Sequence, residues 1–111
     1  ASDLEQRVGE AVLAALHLRN PSLAGAAREL GIGERTLQRQ MKDAGLSFRD
    51  LREGVLQERA KTLLRASDAP SSDVASVLGY ASRSSFERAF RRWNDMSPAE
   101  YRRRLLQESQ L

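Results

Sequence analysis

The second half of this chain repeats the first, and that repetition limits the fold more than any other feature. Ala27, Leu30 and Gly31 recur as Ala75, Leu78 and Gly79, each 48 positions later. Leu37, Arg39 and Met41 recur as Phe86, Arg88 and Phe90, 49 later, and "SFRDLR" at 47–52 recurs as "SPAEYR" at 97–102, 50 later. The register slips only between elements, where an inserted residue is tolerated. A supersecondary unit used twice is therefore expected. Each copy holds about 50 residues, too few to bury a self-sufficient core, so the copies should lean on each other.

The periodicity between breakpoints is helical throughout, with no period-2 strand. Leu4, Val8, Ala11, Val12 and Leu16 form one stripe, which Asn20-Pro21 ends. Ser22 caps "SLAGAAREL", stopped by Gly31; "GIG" leads into "ERTLQRQMKDA", closed by Gly45. Ser47 caps a helix of about 20 residues, hence about 30 Å long, carrying Phe48, Leu51, Val55, Leu56, Ala60, Leu63 and Leu64. Its Gly54 costs about 1 kcal/mol relative to Ala and marks a place where another helix could approach. "SDVASVL" follows the break at Pro70, then "SRSSFERAFRRWN", and Ser97-Pro98 opens "SPAEYRRRLL". The expectation is an all-α fold of seven helices.

A short helix with a small residue in it, a turn opening with Gly and a longer second helix describe a helix-turn-helix. Ala27 and Ala75 would lie where the paired helices cross. Gly31 and Gly79 can take the positive φ of the turn, and Ile32 and Tyr80 would plug its corner. The expected organisation is a first helix-turn-helix subdomain at 1–46 (second helix about 34–44), a linker helix at 47–67, and a second subdomain at 68–111 (second helix about 82–94).

The two second helices divide their faces alike. At about 100° per residue, Leu37, Met41 and Ala44 share one face, and Arg35, Arg39 and Lys42 fall opposite. In the later helix Phe86, Ala89, Phe90 and Trp93 oppose Ser84, Arg88 and Arg91. A surface helix ordinarily mixes acids and bases on its exposed face. Here the outer strip is basic or hydroxylic in both copies, with Glu34, Asp43 and Glu87 on the flanks. Arg forks match guanine edges and phosphates, and Gln38 could pair with adenine. Ser22, Ser72, Ser82 and Ser97 sit at helix starts, where backbone N–H groups can meet phosphate; each is equally a good N-cap.

Composition narrows the alternatives. The net charge is +3, and of 18 basic residues all but Lys42 and Lys61 are Arg. There is no cysteine, which excludes disulfides, zinc–thiolate sites and thiol catalysis. The single histidine, His17, lies in the apolar run "AVLAALHL" and is expected to be a partly buried helix residue. No carboxylate pair in an apolar setting, nucleophile–histidine pairing or phosphate loop is present, so neither an enzyme nor a cofactor is expected. No apolar run is long enough to span a membrane. The chain reads as soluble and cytoplasmic, and its lack of an initiator Met suggests a piece of something longer.

The sequence "VASVLGYASRSSFERAFRRWNDMSPAEYRR" carries V-A, G-Y, S-S-F-x-R-x-F, S-P and Y-R at set distances. "AARELGIGERTLQRQMKDAG" matches a looser L-x-x-R-x-L-x-R form. From about Leu4 to Arg103 the chain resembles the DNA-binding domain of the AraC/XylS family of bacterial transcription regulators. Gly33-Glu34 departs from the usual serine opening of the first recognition helix, and Asp95-Met96 from the Gly or Thr often found before S-P.

The resemblance implies sequence-specific binding of double-stranded promoter DNA by two recognition helices in successive major grooves. Regulation of transcription, as activator or repressor, would follow. Base contacts would come from Arg35, Thr36, Gln38 and Arg39 in one groove and from Arg83, Ser84, Ser85, Glu87 and Arg88 in the next. Phosphate contacts would come from Ser22, Lys42, Ser72, Ser82, Arg91 and Ser97. RNA polymerase and an N-terminal effector or dimerisation domain are further candidate partners. Against this stand a basic helical adaptor for an acidic protein partner, and a reading of "RSS" as a kinase site.

Overall fold

Caps and glycines punctuate the chain into seven helices in the computed structural model, which describes residues 3–109. They are α1 (Asp3–His17), α2 (Leu23–Leu30), α3 (Glu34–Asp43), α4 (Phe48–Ala66), α5 (Ser71–Val77), α6 (Arg83–Asn94) and α7 (Pro98–Ser109). No strand occurs among the described residues, so the all-α expectation holds. Two compact units divide the chain at residues 1–56 and 57–111, and the division falls inside α4.

Most helix starts carry a serine whose Oγ accepts an otherwise orphaned backbone N–H. Ser22 accepts from Gly25 at 3.1 Å, Ser47 from Asp50 at 3.3 Å, Ser82 from Ser85 at 3.1 Å and Ser97 from Glu100 at 3.1 Å. Two starts depart from the pattern. Gly33 offers α3 no side-chain cap. Helix α5 begins at Ser71 with Pro70 in the cap position, so Ser72, expected to cap it, lies within its first turn instead. Proline's fixed φ of −65° already suits that entry.

The repeat extends to the backbone of the turns. Gly31 has φ +71° and Gly79 φ +85°, the left-handed conformation that a Cβ disfavours. In each turn the next residue donates back into the first helix. Ile32 N–H reaches Ala27 O at 3.1 Å, and Tyr80 N–H reaches Ala75 O at 2.9 Å. Those alanines are 2% and 1% exposed, as expected of small residues beneath a crossing. A left-handed residue also follows each second helix: Gly45 (φ +70°), one past the C-cap of α3, and Asp95 (φ +56°), the C-cap of α6 itself. Aspartate is among the few L-residues that tolerate this region.

In the first unit α1 packs on α2 and α2 on α3. Val8, Ala11, Val12, Ala26, Ala27, Leu37 and Met41 form its core, ringed by partly buried residues including Leu4, Ile32, Leu46 and Phe48. In the second unit α6 packs on α5 and α7. An aromatic run holds it: Tyr80–Phe86 at 5.7 Å, Phe86–Phe90 at 5.9 Å, Phe90–Trp93 at 6.5 Å and Phe90–Tyr101 at 5.6 Å between centroids. Such tilted pairs add about 0.5–1.5 kcal/mol each beyond the area they bury.

Three expectations fail on geometry. His17 is exposed, because nine residues at 100° each set it directly opposite the buried Val8. Ala44 shares the direction of Leu37 and Met41 but is exposed; it is the C-cap, beyond the last full turn. Gly54 marks no close approach, since a Cβ there would meet nothing within 4 Å.

Candidate nucleic-acid interface

The apolar face of each second helix fixes what its other face presents. In α3, Leu37 is 0% and Met41 3% exposed, which turns Arg35, Gln38, Arg39 and Lys42 to solvent and leaves Thr36 half-buried. None of these five side chains makes a hydrogen bond or ion pair among the described residues. In α6, Phe86 and Phe90 are fully buried and Ala89 is 3% exposed, which turns Arg83, Ser84, Arg88 and Arg91 outward. Ser84 and Arg88 are likewise without a side-chain partner among the described residues.

The remaining α6 candidates are engaged inside the protein. Arg83 Nε donates to Glu87 Oε1 at 2.6 Å, an i,i+4 pair. Ser85 is half-buried, its hydroxyl 2.9 Å from that of Ser82. Arg91 reaches Glu100 Oε1 at 3.4 Å, and Ser97 Oγ donates to the same carboxylate oxygen at 3.3 Å. The serines expected at phosphates are thus mostly occupied as caps. Ser22 is occupied twice, its hydroxyl also donating to Asn20 Oδ1 at 2.7 Å. Ser72 is exposed in the first turn of α5.

Some structure-bearing residues escape the sequence pattern. Arg102, the second residue of the "YR" signature, donates from Nε to Leu64 O at 3.2 Å and from Nη2 to Ser67 O at 2.9 Å. It therefore closes the C-terminal end of α4, where carbonyls lack helical partners. The neighbouring Tyr101 packs edge-to-face with Phe90 and accepts from Arg65 Nη1 at 3.3 Å. Gln57 Nε2 donates to Asn94 Oδ1 at 3.1 Å. For Tyr101 and Arg102 the advance signal was the fixed distance of Y-R from S-P; Gln57 and Asn94 had none.

The arrangement is a pair of short helices, each anchored by an apolar face and carrying Arg at the same outward position. No group of acidic or histidine side chains among the described residues could hold a metal ion. No described helix is long and apolar enough to cross a membrane.

Comparison with known proteins bears on the same residues. Residues 26–104 match the family described as "Helix-turn-helix domain", a span that takes in both copies of the repeat. The HTH-type transcriptional regulator VqsM of Pseudomonas aeruginosa is 37% identical over 99 residues, 89% of this chain but only 30% of that protein. Regulatory protein SoxS of Salmonella typhimurium is 34% identical over 93 residues, 80% of this chain and 85% of SoxS. A DNA-binding transcriptional dual regulator from Escherichia coli K-12 superposes with a TM-score of 0.83 at 26% identity, covering 96% of each chain. With most of α2 and all of α3, α5 and α6 inside the matched span, the chain belongs to the AraC-type helix-turn-helix family, whose members are DNA-binding transcription regulators and not enzymes.

Proposed function

We propose that this chain binds double-stranded promoter DNA in a sequence-specific manner through α3 and α6 and thereby regulates transcription. One observation carries the reading: Arg39 and Arg88 occupy equivalent positions of the repeat, both exposed, both without an ion pair among the described residues. An Arg held outward on an anchored helix is suited to a bidentate contact with guanine. Arg35, Thr36, Gln38 and Arg39 read bases in one major groove; Arg83, Ser84, Ser85, Glu87 and Arg88 read them in the next. Lys42 and Arg91 meet phosphates. So do the helix starts at Ser22, Ser72, Ser82 and Ser97, through first-turn backbone N–H groups not taken by a capping hydroxyl.

The joining helix supports the two-groove reading by its length. At 19 residues it spans about 28 Å, against about 34 Å between successive major grooves on one face of B-DNA. Action in the cytoplasm, contact with RNA polymerase and attachment to an effector-sensing or dimerising domain complete the proposal. The 30% share of VqsM that the chain spans is in keeping with the last of these.

Selection of bound duplexes from a random pool tests the whole reading, with two short motifs about one helical turn apart as the expected outcome. Arg39→Ala and Arg88→Ala should each weaken binding to the selected duplex by about 1–3 kcal/mol while leaving the fold intact. If both variants bind like the wild type, the groove assignment is wrong. Weak binding indifferent to sequence at every salt concentration would favour an adaptor for an acidic protein partner.

A further inference from the structure

The repeat fails at one strip of the recognition helices. Arg35, Arg39 and Lys42 correspond to Ser84, Arg88 and Arg91, all outward and none acidic. On the neighbouring strip, Glu34 and Gln38 of α3 correspond to Arg83 and Glu87 of α6. The first pair makes no side-chain hydrogen bond or ion pair among the described residues, and Gln38 is exposed with its amide oxygen and amide NH2 both unpaired. The second pair is joined by the 2.6 Å bond from Arg83 Nε to Glu87 Oε1. The Glu87 side chain is 34% exposed, and its other oxygen, Oε2, has no partner among the described residues.

We propose that positions 38 and 87 make the two halves of the domain read different bases: Gln38 an adenine and Glu87 a cytosine, with Arg83 holding the Glu87 carboxylate in place. The inference rests on the DNA-reading assignment above and narrows it. An amide side chain both donates and accepts, which matches the paired N7 acceptor and N6 amino donor of adenine. A carboxylate only accepts. Adenine would set its N7 lone pair against it, and guanine offers two acceptors, so the N4 amino group of cytosine is the compatible major-groove edge. A bare carboxylate beside phosphates is repelled. Arg83 counters that charge through one oxygen, fixes the rotamer and leaves the second oxygen for the base. Glu87 thus lowers affinity for DNA in general and raises discrimination, the signature of a specificity residue.

Duplex selection with the full chain and its variants provides the test. The wild type should select cytosine at one position of the half read by α6 and adenine at the corresponding position of the other half. Glu87→Gln should move only the former preference from cytosine to adenine, by about 5- to 150-fold. The same variant should bind unrelated duplex more tightly, with a salt dependence steeper by about one phosphate contact, because Arg83 is released to the backbone. Arg83→Ala should keep cytosine preferred but with weaker discrimination and lower affinity. Circular dichroism melts of all variants should match the wild type, since the pair lies at the surface.

A Glu87→Gln protein that still selects cytosine there, or changes its preference in the other half, overturns the inference. An Arg83→Ala protein as discriminating as the wild type removes the aiming role. A wild-type chain with no base preference at all would instead refute the underlying DNA-reading assignment.

Discussion

Gly25→Ala tests whether the first unit is built as tightly as its geometry requires. Gly25 is buried in the first turn of α2, and a Cβ there would overlap the carbonyl oxygen of Asn20 and lie 3.1 Å from two further Asn20 atoms. Carbon atoms in ordinary contact stand about 3.5–4.0 Å apart, so Asn20 would have to retreat. It is held by its N–H bond to Ala15 O at 2.8 Å and by Ser22 Oγ on its side chain at 2.7 Å. Arg19 before it sits at φ +61°. Displacing Asn20 puts two hydrogen bonds at risk, about 0.5–1.5 kcal/mol each, and overpacking adds about 1–3 kcal/mol. Alanine's helix propensity returns about 1 kcal/mol. The net expectation is a loss of about 1–5 kcal/mol, visible as a lower urea midpoint and faster amide exchange at Asn20 and Gly25's neighbours. A variant with the wild-type midpoint or a higher one would show that the α1–α2 turn yields freely, and the close-approach argument would fall.

Arg102→Ala removes the donors to Leu64 O in the last turn of α4 and to Ser67 O just beyond it, and should cost about 1–3 kcal/mol. Amide exchange in the last turn of α4 and a urea titration would show it, and no change in either would mean that solvent replaces the guanidinium. Gly54→Ala should act in the opposite sense, because the site is an exposed helix interior with open space where the methyl would go. A gain of about 0.5–1 kcal/mol is expected, and a lower melting temperature would mean that something does pack there.

Much of the fold was legible because its signals are local. A capping serine reaches only three residues ahead, a turn glycine answers to its own φ, and an apolar stripe needs nothing beyond its helix. Hence Ser22, Ser47, Ser82 and Ser97, the turns at Gly31 and Gly79, and the faces carrying Leu37 and Phe86 could all be placed in advance. The turn between α1 and α2 was harder. Ala27 is small and buried as the pattern demands, but nothing in the pattern marks Gly25, where a Cβ would overlap the Asn20 carbonyl oxygen of that turn. Helical spacing says which residues face a neighbour, but not which backbone atom of that neighbour arrives first.

The candidate site divides along the same line. That Arg39 and Arg88 point outward follows from their distance to Leu37 and Phe86, so the repeat alone locates them. Which cations remain available to a ligand depends on partners supplied by the fold. The Arg83–Glu87 pair lies within one helix turn and its spacing was readable as an i,i+4 pair. Glu100 meets Arg91 only because α7 packs on α6. The result is an uneven pair of reading surfaces: α3 presents Arg35, Arg39 and Lys42 without ion pairs among the described residues, while in α6 both Arg83 and Arg91 share their charge with a carboxylate. Counterion release scales with the cations that reach phosphate. The α3 half should therefore supply more of the salt-sensitive attraction and the α6 half more of the discrimination. On the proposed reading, the two halves share one pattern of helices, and the carboxylates of Glu87 and Glu100 paired with Arg83 and Arg91 would keep them from reading DNA alike.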